Sequence, residues 1–191
     1  LASSLEPGKT YTVNVDEEVC DEHGIKVDAA KSWQFTAVDA SLDAAQVTAV
    51  NTMDDSGVLV ADLDNSVATA KLTVARNTST KIEGTAAASV AYTFNDFTGG
   101  NAMVNFATAP ETVFTKANML TMKVYGDLSL NRLNAVFTDG NVVKKVPFCT
   151  LDFLGWHSVD KSLADIGEGN FSLTGFEIEQ MGAKCGKTGT L

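Results

Sequence analysis

The residues of this chain best suited to chemistry are four aromatics and a group of carboxylates. Trp33, Tyr92, Tyr125 and Trp156 are of the types that stack on the apolar faces of pyranose rings, while amides and carboxylates nearby take the hydroxyls. Each also has a structural reading. Trp33 lies inside an alternating apolar and polar run, Ser32-Trp33-Gln34-Phe35-Thr36, and is expected in a core. Trp156 follows Gly155 and precedes an alternating strand; it reads first as an indole capping the core and second as a platform. Trp156, Tyr125 and Tyr92 are the ligand-binding candidates. Asp54, Asp55 and Glu83, with Asn77 beside them in the count, carry the hard oxygen atoms that calcium takes. Asp54-Asp55-Ser56-Gly57 is equally well explained as a surface turn.

Catalysis is not expected. His23 and His157 stand in unrelated contexts, and neither belongs to a His-Glu-x-x-His spacing. No Gly-x-Ser-x-Gly elbow occurs, and no glycine-rich phosphate loop follows a strand. A glycosidase would need two carboxylates at a set distance in space, which position along a chain does not supply. Cys20, Cys149 and Cys185 are an odd number at unrelated spacings, which excludes a cysteine-rich scaffold or a CxxC metal knuckle. Buried free thiols are the plainer reading, and a Cys149 to Cys185 bridge is the alternative. Asn77-Thr78-Ser79 and Asn170-Phe171-Ser172 fit the glycosylation sequon.

The elements that must position these residues are strands. In the stretch from Met119 to Leu173, the apolar Leu120, Met122 and Val124 alternate with polar neighbours up to Tyr125, the period of a half-buried strand. Gly126-Asp127 is expected to break that run. Leu133 to Thr138 resumes it and stops at Asp139-Gly140-Asn141, a hairpin signal, because Gly and Asn tolerate the positive φ of tight turns. Val142 to Phe148 then returns antiparallel. Elsewhere Tyr11, Val13 and Val15 alternate in a strand, the acidic segment from Asp16 to Asp28 is a loop, and Lys71 to Arg76, Ser89 to Phe94 and Ala102 to Ala107 are further strands. Between Ala37 and Ala49, Ser41 fits the cap of a short helix, while Val47 to Val50 also reads as a strand; the segment is taken as a linker. Short strands between frequent turns predict an all-β fold, an antiparallel β-sandwich or jelly roll.

Composition agrees. A length of 191 residues suffices for one large or two small domains, and at that size roughly two thirds of the unfolded surface can be buried. Only three prolines and 8% aromatics suit short strands with many turns. The net charge of -10 argues against a nucleic-acid binder, which needs a basic stripe to displace phosphate counterions, and against docking on anionic lipid. No apolar run is long enough for a membrane span. The chain starts at Leu1 with no signal-like segment, so a processed or excised piece is expected.

Two resemblances add to this reading. LEPGKTYTVNV, VCDEHGIKV and KSWQFTA, within residues 1–38, resemble the second half of a bacterial Ig-like domain of the kind strung along secreted and cell-surface proteins. Since a sandwich needs both sheets, such a half must pack on the rest of the chain or be completed by another chain. Residues 39–49 are the linker. Across residues 50–191, VARNTSTKIEGTAAASVAYTF, LTMKVYGDLSLNRLNAVFTDGN, LDFLGWHSVDKSL and LTGFEIEQMGAKCGKTGTL resemble the galactose-binding-like β-sandwich module at the C-terminal end of many secreted bacterial proteins, including phosphodiester-glycosidase-type proteins. In that family the last strand continues into an aromatic and two aspartates; here the sequence stops at Leu191, which removes acids that would serve a metal. The resemblance implies a non-catalytic carbohydrate-binding or adhesion module, outside the cell or on its surface, binding a polysaccharide or surface glycan, with structural calcium as its one expected cofactor. The alternative is a structural subunit of an extracellular filament or surface layer, its partners further copies of itself added strand to strand.

Overall fold

A computed structural model describes residues 9–20, 26, 30–36 and 48–191, with residues 35 and 36 as backbone alone. The protein is all-β. Every strand pairing among the described residues is antiparallel, and the one helical element there is a 3-10 turn at Ala164–Ile166. No helix among these residues is long and apolar enough to cross a membrane. The chain divides into two compact units, Leu1–Ala49 and Val50–Leu191.

In the first unit, β1 (Thr10–Val15) and β2 (Lys31–Thr36) form a hairpin in which Tyr11 faces Phe35 and Val13 faces Trp33. Strict alternation sorts the two faces. Asn14 and Thr12 meet Ser32 and Gln34 on the polar side, where Ser32 Oγ donates to Asn14 Oδ1 at 2.7 Å and Gln34 Nε2 to Thr12 Oγ1 at 3.2 Å. Trp33 is 51% exposed on the other side. The expectation of a core indole there is corrected, because alternation assigns a face and leaves open whether anything covers it.

The second unit runs β3 (Leu59–Val67), β4 (Thr69–Asn77), β5 (Ala87–Phe94), β6 (Asn101–Phe106), β7 (Val113–Phe114), β8 (Met119–Asp127), β9 (Arg132–Thr138), β10 (Val143–Thr150), β11 (Leu154–Ser162), β12 (Phe171–Glu179) and β13 (Thr188–Thr190). One sheet has the order β10-β9-β12-β6-β3, with β7 alongside β12. The other layer consists of β13-β5-β4 and the ribbon β11-β8. A single core lies between them: Leu133 and Phe137 on β9, Ile178 on β12 and Val104 on β6 share it with Val90 and Phe94 on β5, Leu72 on β4 and Val124 on β8. Phe106 packs tilted on Phe176 at 5.8 Å and Phe114 edge-on to Phe137 at 5.4 Å, the offset geometries aromatic quadrupoles favour.

The hairpin between β9 and β10 forms where Asp139-Gly140-Asn141 predicts it. Gly140 takes φ 94°, and Asp139 Oδ1 accepts the Asn141 and Val142 amides at 2.8 Å each. Gly126-Asp127 does not end β8 as expected; the strand continues to Asp127. Phe153 lies directly over Gly126, where an added Cβ would collide with its ring and carbonyl, so this glycine serves close packing and not a turn. Of the strand expected at Val47 to Val50, the described residues 48–50 are not in a strand, and the helix reading at Ser41 falls outside the described residues. β3 escaped the sequence reading because Asp62-Leu63-Asp64-Asn65 interrupts alternation; those residues form a bulge in which Asp62 accepts the Asn65 amide and the Asn105 side chain.

Candidate functional site

Tyr125 on β8 stands directly opposite Trp156 on β11. Leu120 and Val124 belong to the core on one parity of β8, so Tyr125 and its partner project from the other side of the ribbon. There the rings meet edge to face, 5.5 Å apart at 80°, and both residues are half-buried. A cross-strand pair of this kind holds each ring in one orientation. Both rings line a cavity of about 130 Å³ with Asn77, Thr80, Ser89 and Thr190. A second hollow of about 280 Å³, with Lys71, Ala91, Thr93 and Thr188, shares Thr190 with the first. Together they make one groove across β5 and β13, floored by alanines and hydroxyl-bearing side chains and walled at one end by the aromatic pair. Hydroxyls that both donate and accept, beside a fixed aromatic edge, suit a polyhydroxylated ring.

Tyr92, expected as a third platform, is corrected to a core residue: it is 2% exposed. Its Oη donates to Asp127 Oδ2 at 3.0 Å and accepts from Asn131 Nδ2 at 2.9 Å, and burial pushes the phenol above its ordinary range. Tyr92 was a candidate for its ring alone; its place in β5 directs it inward, beside Phe94 at 5.3 Å.

The carboxylates suggested for calcium are placed apart in function. Asp54 Oδ1 accepts the Ala86 amide at 2.9 Å, the Thr85 amide at 2.5 Å and the Thr85 hydroxyl at 3.1 Å. These bonds, the Ala86 amide first, lower its carboxyl to about 2. Glu83 lies 4.0 Å from Lys123 Nζ, and Asn77 Oδ1 accepts the Ser79 and Thr80 amides at 2.9 Å each. Asp55 is an exposed residue of the turn. Among the described residues no three His, Cys, Asp or Glu side chains come together as a metal site would require. His157 stacks flat on Phe153, 4.2 Å between ring centres, and His23 lies outside the described residues. All three cysteines are free. Cys185 is buried and Cys149 half-buried, its thiol pushed up to about 11 chiefly by burial, while Cys20 is exposed, a correction to the expectation of buried thiols throughout.

One cluster escaped the sequence reading. On the outer side of β9 and β12, Asn134 pairs in register with Glu177 and Arg132 with Glu179. Glu177 Oε1 accepts Lys145 Nζ and Asn101 Nδ2 at 2.6 Å each. Asn134 Nδ2 donates to Glu177 Oε2 at 2.9 Å and to Glu179 Oε2 at 2.8 Å. Burial opposes it, yet the hydrogen bonds from Arg132 and Asn134 hold the Glu179 carboxyl below its ordinary range. Alternation in Phe176-Glu177-Ile178-Glu179 already puts both glutamates on the outer face. That Glu177 and Asn134 are each only 2% exposed there depends on neighbours from four strands.

No protein-family model matches the chain, and no curated protein matches it. Among solved structures, a carbohydrate-binding module from the beta-sandwich superfamily, described for its promiscuous specificity, is similar with a TM-score of 0.46 and 14% identity, over 96% of this chain and 70% of that one. A likeness this low says nothing about what this chain binds.

Proposed function

We propose that the second unit is a non-catalytic carbohydrate-binding module of a secreted or cell-surface protein, with the groove over β5 and β13 as its glycan site. The observation that carries the reading is the Tyr125–Trp156 pair, held edge to face at the end of a groove of small and hydroxyl-bearing residues. Trp156 presents the indole, Tyr125 fixes its orientation, and Ser89, Thr93, Thr188 and Thr190 take ring hydroxyls.

The assembly-subunit reading has less support. Strand addition needs a bare edge, and four of the outer strands of the second unit carry features that discourage it: Lys144, Lys145, Pro147 and a bulge in β10, a bulge with Asp62 and Asp64 in β3, Lys71 and Arg76 in β4, and Asp160 with Lys161 in β11.

Calorimetric titration with cellohexaose, xylohexaose and mannohexaose tests the reading. Saturable binding of at least one is expected, with Trp156→Ala weaker by about tenfold, equivalent to about 1.4 kcal/mol. Binding of none, or a Trp156→Ala variant equal to the parent, would remove the groove as the site.

A further inference from the structure

The groove over β5 and β13 runs against the charge of the chain. The sequence holds 24 aspartates and glutamates against 14 lysines and arginines, yet no carboxylate side chain lines either hollow of the groove. The one charged side chain that does is Lys71. Register fixes its place. Lys71 on β4 stands opposite Thr93 on β5, which stands opposite Thr188 on β13, so an ammonium-bearing residue and two hydroxyl-bearing ones form a row across three strands, about 4.8 Å from one strand to the next. Lys71 is exposed, and among the described residues it has no ion-pair partner, whereas Lys116, Lys123 and Lys145 each face a glutamate. A lysine on an outer strand also guards that edge against strand addition, but guarding an edge does not require that it face the groove.

We propose that the groove selects an acidic glycan, one whose sugars carry a carboxylate or a sulfate ester, and that Lys71 is the residue that selects it. The inference rests on the groove being the glycan site. Lys71 offers three N–H donors and no acceptor, and the hydroxyls of Thr93 and Thr188 donate as readily as they accept. A charged acceptor on the sugar is matched by donors there, and hydrogen bonds to a charged group are the stronger kind. No carboxylate in the lining opposes it. The net charge of -10 acts from further off, and at physiological ionic strength exposed charges more than about 8 Å apart are largely screened, so the nearby ammonium decides the sign. The row is also set apart from the aromatic pair. Thr93 is four positions beyond Ser89 on β5, and Ser89 shares its hollow with Tyr125 and Trp156, a distance of about 13 Å along the strand at roughly 3.3 Å per residue. No single sugar ring spans that, so the ring against Trp156 and the acid at Lys71 belong to different sugars of one chain.

Calorimetric titration of the full chain with a matched pair tests this: mannohexaose and hexamannuronate, which differ by the carboxylate on each sugar, with a sulfated carrageenan hexasaccharide as the second acid. At about 0.15 M ionic strength, at least one of the two acids is expected to bind about tenfold more tightly than mannohexaose, the scale of one charge-assisted hydrogen bond. That advantage should shrink as salt is raised, and which acid shows it tells a carboxylate from a sulfate. Lys71→Gln should bring the ratio of acidic to neutral affinity close to one, Lys71→Arg, which keeps the charge, should preserve most of it, and Trp156→Ala should weaken acidic and neutral sugars together. The salt series on the parent needs no variant, so the test holds even where Lys71→Gln disturbs folding. The inference is overturned, with the groove still standing as the glycan site, if mannohexaose binds as tightly as both acids, if the acidic advantage ignores salt, or if a folded Lys71→Gln variant keeps it. Binding of no sugar at all, or binding that Trp156→Ala leaves unchanged, removes the groove itself and this inference with it.

Discussion

Asp54 shows how one side chain closes a loop. Its carboxylate accepts two successive backbone amides and a hydroxyl across more than thirty positions of sequence, and Gly84 leaves it room, since an added Cβ there would strike the carboxylate. The consequence for pH has a definite sign. A carboxyl lowered from 3.8 to about 2 adds stability at pH values above 3.8, and that contribution disappears as pH falls toward 2. Asp54→Asn should therefore melt below the parent at pH 7 and converge with it near pH 2, as melting temperatures measured across that range would show; parallel curves would contradict the assignment. The sequence made Asp54 conspicuous as an oxygen donor in a turn. It could not show that the donors it meets are amides of Thr85 and Ala86, because that pairing depends on where the strand after them packs.

At the scale of elements, the joint between β13 and β8 is tightly constrained. β13 pairs with β5 through Gly189 opposite Tyr92, and an added Cβ at Gly189 would meet the Tyr92 hydroxyl and the Asp127 carboxylate. Gly189→Ala should thus destabilise the unit by about 1–3 kcal/mol, the range of overpacking in a filled site. Urea unfolding with an unchanged slope would record it, whereas a midpoint equal to the parent's would mean that the joint yields. β8, β9 and β10 were legible in advance, since period-two alternation and an Asp-Gly turn are local properties of the chain. β3 was not, because its bulge breaks the alternation and is held by Asn105 on the neighbouring strand.

For the whole molecule, the arrangement of the outer strands bears on assembly. Lysines, a proline, aspartates and bulges on the outer strands of the second unit oppose edge-to-edge growth. Light scattering across a wide range of concentration should accordingly give a constant molar mass, that of a monomer. A mass that climbs with concentration, or filaments, would favour the assembly-subunit reading over the binding module. One layer offers an aromatic-walled groove and the other a buried polar face, and the two point away from each other across a shared core.

The sequence by itself determined the class of structure: alternation, turn residues and composition specify antiparallel strands, because these are properties of neighbours along the chain and of sums over it. Which aromatic faces solvent was decided by tertiary structure alone. Tyr92 and Tyr125 both sit in alternating strands, yet one is sealed beneath β13 and the other walls a groove, since alternation gives a residue a side and only the packing of distant strands says what lies on that side. The same holds for Glu177 and Asn134, outward by pattern and buried by their neighbours. Burial belongs to the assembled sheet, and no stretch of the chain carries it in advance.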